Sequence, residues 1–176
     1  ARMAVAGDSA GGCLAAVTAI RLRDDAGPEL KAQLLFYPVT DFPDLGRDSY
    51  RDFAAGYGLT AEGMQWFWQQ YLDPSARRND PLAAPNRLRD ASGLPPAYVA
   101  TAEYDVLKDE GKDFADLLQG CGVSVVYRTC AAMNHGFLKY TDAIEEVNLI
   151  VGDACRWLSD AFKIGALSIQ KKASSC

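Results

Sequence analysis

The chain has 176 residues, of which 49% are hydrophobic and 23% charged, a composition typical of one soluble globular domain. Its net charge of -5 argues against nucleic-acid binding, which needs a basic surface, and no apolar run is long enough to span a membrane. Five scattered cysteines without CxxC spacing argue against a zinc site or a disulfide framework and favour a reducing, cytoplasmic compartment. We therefore expect a small-molecule partner and neither metal nor cofactor, and a homodimer stays open.

The first half of the chain predicts two buried strands separated by a helix. Residues 3–6 form a short apolar run, residues 13–22 an almost wholly apolar helix, and residues 32–37 a second apolar run that ends at a proline. Residues 41–57 are polar and interrupted by glycine, which predicts a loop. Thr60 is a suitable N-cap for a helix that continues to residue 72.

The second half repeats the alternation of strands and helices. We expect irregular structure over 73–95, strands at 96–102 and 123–128, and helices at 109–118 and 144–162. Alternation with fully apolar strands predicts an α/β fold whose mostly parallel sheet is covered by helices on both faces. Residues 1–162 should form the domain, and residues 163–176 a frayed tail.

A Gly-x-Ser-x-Gly motif lies between the first strand and the first helix. Ser9 is at its centre, with Gly7 and Gly11 two residues away on either side. A serine on such a turn is held in a strained conformation at the sheet edge, and the Ala10 N–H at the helix N-terminus could stabilise an oxyanion. The plain alternative is a glycine-rich helix entry with a capping serine.

A serine nucleophile needs a general base, and His135 is the only histidine of the chain. It follows the fourth predicted strand, at the edge where catalytic groups gather in parallel sheets. The alternative is a surface histidine or a hydrogen-bonded core histidine. We expect His135 to be the base.

The third member of a serine triad is a carboxylate that orients the histidine. Asp105 lies near the tip of the third predicted strand, but Glu103, Asp109 and Glu110 are near neighbours, so spacing alone does not choose between them. The chain order Ser, Asp, His is that of α/β-hydrolases.

The chain resembles the hormone-sensitive-lipase-like family of carboxylesterases over almost its whole length. The motifs that carry this resemblance are Gly7–Gly12, Tyr37-Pro38 with Thr40-Asp41, the helix from Thr60 to Leu72, Asp80–Pro85, Leu94–Ala97, Glu103–Glu110 and Met133–Phe137. The resemblance implies the C-terminal part of an α/β-hydrolase fold, with Ser9 as nucleophile, Asp105 as acid and His135 as base. It also implies hydrolysis of short-chain acyl esters through an acyl-enzyme.

Three features depart from the family pattern. Val106 stands where a proline is usual, and Cys130-Ala131-Ala132 replaces a more usual Tyr-Pro-Gly ahead of the histidine. The family's His-Gly-Gly oxyanion motif lies upstream of the serine, and this sequence begins only eight residues before Ser9. We therefore expect a partial domain that lacks this motif and the N-terminal strands.

Asp8, Met64, Trp66 and Phe137 are the candidate substrate-binding residues. The aromatic stretch 66–68 could line an acyl pocket, although core packing explains it as well. Two other functions stay open: a non-catalytic ligand-binding protein on the same fold, as in the plant gibberellin receptors, and a truncated inactive fragment. An amidase or peptidase is a weaker enzymatic alternative.

Overall fold

A four-stranded parallel sheet forms the centre of the fold. The computed structural model describes residues 2–44, 46–72 and 80–173, with side chains described as far as residue 163. The strands are β1 Ala4–Asp8, β2 Ala32–Phe36, β3 Ala97–Tyr104 and β4 Val125–Asn134, hydrogen-bonded in the order β1-β2-β3-β4. Each neighbouring pair runs parallel, which confirms the predicted α/β class.

Helices connect and cover these strands. They are α1 Ala10–Asp24, α2 Asp48–Asp52, α3 Ala61–Tyr71, α4 Lys108–Gly120 and α5 Glu145–Ala173, with single 3₁₀ turns at Pro85–Arg87 and Phe137–Tyr140. The predicted cap of α3 is present, because Thr60 Oγ1 accepts a hydrogen bond from the Gly63 N–H at 2.9 Å. Within the described residues, no helix is both long and apolar enough to cross a bilayer.

The structure differs from the sequence prediction in three segments. Helix α2 lies inside the predicted loop 41–57, where tertiary hydrogen bonds to the turn after β3 hold it. Strand β4 runs to Asn134, beyond the predicted end at residue 128, because it stays paired with β3 as far as Tyr104. Helix α5 continues to Ala173, within the predicted tail 163–176, and residues 174–176 lie outside the described part.

The two central strands, β2 and β3, are buried on both faces of the sheet. One face packs against α1 and α4 through a cluster that includes Ile20, Leu35 and Phe114, all fully buried. The opposite face packs against α5, where Tyr98 and Val147 belong to a second cluster. Burial on both faces explains why β2 is apolar except for Gln33, whose buried amide donates to the Pro95 carbonyl at 3.0 Å.

The parallel arrangement brings three predicted residues to one edge. Ser9 follows the carboxyl end of β1, Asp105 that of β3 and His135 that of β4. Groups that follow parallel strands gather at this edge of a sheet. The fold therefore brings residues separated by up to 126 positions to one place.

Candidate active site

The turn at Ser9 is strained and firmly held. Ser9 has φ 54° and ψ -123°, a region that residues with a side chain rarely adopt. Its N–H donates to the Phe36 carbonyl at 3.0 Å, and its own carbonyl accepts from the N–H groups of Gly12 at 3.0 Å and Val39 at 3.1 Å. These backbone bonds to β2 and the loop after it keep the side chain at the sheet edge.

The two glycines of the motif have different functions. A Cβ at Gly7 would lie 2.1 Å from the Gly11 carbonyl oxygen, so only glycine fits there. A Cβ at Gly11 would meet nothing closer than an Asp8 carboxylate oxygen at 3.9 Å. The motif alone makes Gly7 and Gly11 look equivalent, whereas the crowding arises at Gly7 and, through Pro38 at 2.8 Å, at Gly12.

Ser9, His135 and Asp105 form a continuous chain of contacts. Ser9 Oγ lies 2.9 Å from His135 Nε2, and His135 Nδ1 lies 2.7 Å from Asp105 Oδ2. The neighbouring acids have other partners: Glu103 contacts the Ala132 N–H, and Asp109 the Ser49 N–H. Asp105 is thus the acid whose carboxylate is in contact with the imidazole.

The turn that carries Asp105 is rigid. The Asp105 carboxylate is 1% exposed, and its Oδ1 accepts the Leu107 N–H at 3.0 Å. From helix α2, Ser49 Oγ donates to the Val106 carbonyl at 2.7 Å. Val106, which stands where the family has proline, is fully buried and therefore fixed by packing.

Glu110 anchors the start of α4 below this turn. It is fully buried; its Oε1 accepts the N–H groups of Thr40 at 2.8 Å and Asp41 at 3.2 Å, and its Oε2 accepts the Tyr50 hydroxyl at 3.1 Å. Burial raises the pKa of Glu110 to about 8, although these hydrogen bonds oppose the shift. From the sequence, Glu110 was only a competing acid, because its partners Thr40, Asp41 and Tyr50 lie on distant segments of the chain.

Tyr37 packs edge-on against the His135 ring at a centroid distance of 4.9 Å, and against Phe137 at 4.8 Å. Its hydroxyl donates to Asp8 Oδ2 at 3.3 Å, and burial together with the Asp8 carboxylate holds the pKa of this hydroxyl above its ordinary value. These contacts involve two of the predicted substrate-binding residues, Asp8 and Phe137. Asp8 is a partner of Tyr37, and Phe137 is a fully buried core residue beside the histidine.

An apolar cavity of about 320 Å³ begins at Ser9. Its walls come from α1, the loops after β2 and helix α3, and its lining residues are Ser9, Ala10, Cys13, Leu14, Val39, Leu59, Met64, Phe67, Trp68 and Tyr71. Met64, a candidate substrate-binding residue, lies in this wall. Trp66, in contrast, is 55% exposed and is not part of the lining.

Helix geometry explains which aromatic residues line the cavity. Met64, Phe67, Trp68 and Tyr71 are spaced at i, i+3, i+4 and i+7, so they share one face of α3. Trp66 is two residues from Met64 and points to another face. This spacing was available in the sequence and could have identified Phe67, Trp68 and Tyr71.

The Ala10 N–H is at the N-terminus of α1. Ala10 is the first helical residue, and the N–H groups of the first turn have no acceptor inside the helix. The partial positive charge of a helix N-terminus favours a negative charge nearby. Ala10 also lines the cavity beside Ser9.

Comparison with known proteins agrees with this geometry. The profile of the α/β-hydrolase fold family matches residues 1–139. The chain is 42% identical to the carboxylic ester hydrolase LipN of Mycobacterium tuberculosis, over 78% of this chain and 38% of that protein. It is 39% identical to the ethyl acetate hydrolase of Pseudomonas putida, over 84% of this chain and 46% of that protein.

Solved structures give the same relationship. The thermophilic carboxylesterase EstE1, cloned from a metagenomic library, superposes with a TM-score of 0.85 at 37% identity, over 90% of this chain and 54% of that one. The chain thus spans about half the length, or less, of the relatives it matches. It belongs to the α/β-hydrolase fold family, within the hormone-sensitive-lipase-like carboxylesterases.

Proposed function

We propose that this protein hydrolyses carboxylic esters through an acyl-enzyme formed on Ser9. The observation that carries the proposal is the contact chain from Ser9 through His135 to the buried Asp105, with distances of 2.9 and 2.7 Å, at the mouth of an apolar cavity. A serine is a poor nucleophile unless a base lies within hydrogen-bonding distance. The contact between Ser9 and His135 also counts against a purely ligand-binding protein.

In the acylation step, Ser9 Oγ attacks the carbonyl carbon of the ester while its proton passes to His135 Nε2. Asp105 stabilises the resulting imidazolium and keeps the Nδ1–H directed toward its own carboxylate. The oxyanion of the tetrahedral intermediate accepts the Ala10 N–H. Its collapse breaks the bond to the alcohol oxygen, which leaves with the proton from His135.

In the deacylation step, the same groups act on water. His135 Nε2 accepts a proton from a water molecule, whose oxygen attacks the acyl carbon bound to Ser9. The second tetrahedral intermediate again carries its negative charge beside Ala10. Collapse returns the proton to Ser9 Oγ and releases the carboxylic acid, so no metal or organic cofactor enters the cycle.

The preferred substrates are esters with short acyl chains. The cavity is apolar and small, and the buried side chains of Met64 and Trp68 contribute to its wall. A pocket of this size covers only a limited acyl chain. Chains of roughly two to eight carbons should therefore react faster than long ones. The name of one relative, an ethyl acetate hydrolase, agrees with this size class.

Two further proposals concern the surroundings of the protein. Cys13, Cys121, Cys130 and Cys155 are free thiols, which supports a reducing, cytoplasmic compartment. Expression of a fluorescent fusion tests the location. The homodimer left open by the sequence is tested by analytical ultracentrifugation.

Labelling with a fluorophosphonate probe tests the central proposal. We expect phosphonylation of Ser9 in the folded protein, its complete loss in Ser9→Ala, and labelling slower by at least about 10³-fold in His135→Ala. Ser124→Ala, at an exposed serine remote in sequence, is the matched control and should label normally. Absence of labelling in folded protein, or labelling of another serine, would contradict the proposal.

A further inference from the structure

The pairing of β3 with β4 is irregular just before His135. Ala102 pairs with Cys130, and the next paired residues are Tyr104 and Asn134. Between these pairs β3 has one residue, Glu103, whereas β4 has three, residues 131–133. Such bulges bend a strand and redirect the side chains that follow it, often next to active sites. This bulge therefore sets the direction of the backbone that leads to His135.

Ala132 in this bulge has an unfavourable backbone conformation. Its φ is +59°, in the left-handed region that favours glycine. Glycine is the usual residue here in the family that the chain resembles. Ala132 is also exposed, so packing of its own side chain does not fix it. Another contact has to keep the bulge in this shape.

Glu103 provides that contact from the opposite strand. Its Oε2 accepts the Ala132 N–H at 2.6 Å, a short hydrogen bond strengthened by the carboxylate charge. On the other side, the side chain of Met133 is buried in the core cluster beneath α5. Ala132 is thus held through its backbone by Glu103 and through its neighbour by the core.

We propose that Glu103 is a positioning residue for the general base: by holding the Ala132 N–H it fixes the bulge of β4 and so the approach of His135 to Ser9. The inference rests on the proposed function, because it assigns Glu103 a task in that same site. The same hydrogen bond explains how Ala132 can take the place of the family's glycine. The strain of a non-glycine residue is compensated by a hydrogen bond across the strands.

Four variants test the proposal. Glu103→Ala removes the acceptor, whereas Glu103→Gln keeps a side-chain oxygen that can accept the same N–H. Ala132→Gly removes the backbone strain. The double variant, Glu103→Ala with Ala132→Gly, removes both the hydrogen bond and the strain that this bond compensates. Circular dichroism melting establishes that each variant is folded before comparison.

Two measurements distinguish an effect on the position of His135 from an effect on the stability of the whole protein. The first is the downfield proton resonance of the His135 Nδ1–H that bonds to Asp105; His135 is the only histidine, so this signal is unambiguous. The second is the rate of Ser9 phosphonylation. The resonance reports the geometry of the histidine without any ester chemistry.

We expect Glu103→Ala to broaden or abolish the resonance and to slow labelling by at least about tenfold, since small misplacements of a reacting group cost up to about 10²-fold. Glu103→Gln should stay within about threefold of the parent protein, and the double variant should recover to a similar level. An unchanged resonance and rate in folded Glu103→Ala would overturn the proposal, and so would a double variant no better than Glu103→Ala. If the resonance depends on Glu103 but Ser9 is never labelled, the proposed function fails and the positioning of His135 stands.

Discussion

Replacement of Gly7 by alanine should be far more damaging than the same change at Gly11. The new methyl group at residue 7 would lie 2.1 Å from the Gly11 carbonyl oxygen and 2.8 Å from the Gly12 nitrogen. Nonbonded heavy atoms prefer about 3.5–4.0 Å, so β1 and the start of α1 would have to separate by more than about 1 Å. Only backbone atoms are involved, and no side-chain rotation relieves the clash.

The expected cost of Gly7→Ala is at least about 3 kcal/mol of unfolding free energy, at the upper end of overpacking effects. Gly11→Ala should be neutral or stabilise by up to about 1 kcal/mol, because its methyl group finds space and alanine favours helix. Urea denaturation followed by tryptophan fluorescence measures both. Equal stabilities for the two variants, or a less stable Gly11→Ala, would refute the steric account of the turn.

Three further predictions follow from the cavity and the buried titratable groups. Trp68→Ala enlarges the cavity, so it should raise the rate on long acyl chains relative to short ones and lower the unfolding free energy by about 3 kcal/mol. Trp66→Ala, at an exposed residue outside the cavity wall, should change neither quantity. Ester kinetics and urea denaturation measure the two effects. Burial raises the pKa of Glu110 from 4.5 to about 8, so the folded state holds this proton more tightly than the unfolded chain. The free energy of unfolding should therefore fall as pH rises from about 4.5 to about 8. Denaturation at a series of pH values should show that Glu110→Gln lacks this decrease. The same decrease in Glu110→Gln would contradict the raised pKa of Glu110. Burial raises the pKa of Cys13 to about 12, so iodoacetamide at pH 8 should modify the exposed Cys155 at least about tenfold faster, as peptide mapping can measure.

Local patterns in the sequence were sufficient to predict the parallel sheet and two residues at its edge, Ser9 and His135. Every residue of strand β2 is buried and all but Gln33 are apolar, so this burial is visible in the sequence as a mostly hydrophobic run. Ser9 and His135 were identifiable because the first lies in a glycine motif after a strand and the second is the only histidine.

Features that depend on tertiary contacts were not predictable in this way. Spacing did not separate Asp105 from Glu103 or Glu110, since each carboxylate finds its partner on a different segment of the chain. Trp66 was chosen for its residue type, although the helical spacing from Met64 excludes it from the cavity wall. Helix α2 was not predicted, because Ser49 is fixed by hydrogen bonds to Val106 and Asp109 after β3 and not by its neighbours in the sequence.

The acyl-enzyme itself offers the most direct test of the account. Protein mixed rapidly with p-nitrophenyl butyrate and quenched in acid should carry the butyryl group on Ser9, with one equivalent of p-nitrophenolate released before steady turnover. In His135→Ala both the burst and the modification should disappear on the same timescale. A butyryl group on any other residue, or turnover by folded protein that leaves Ser9 unmodified, would contradict the assignment of Ser9 as nucleophile.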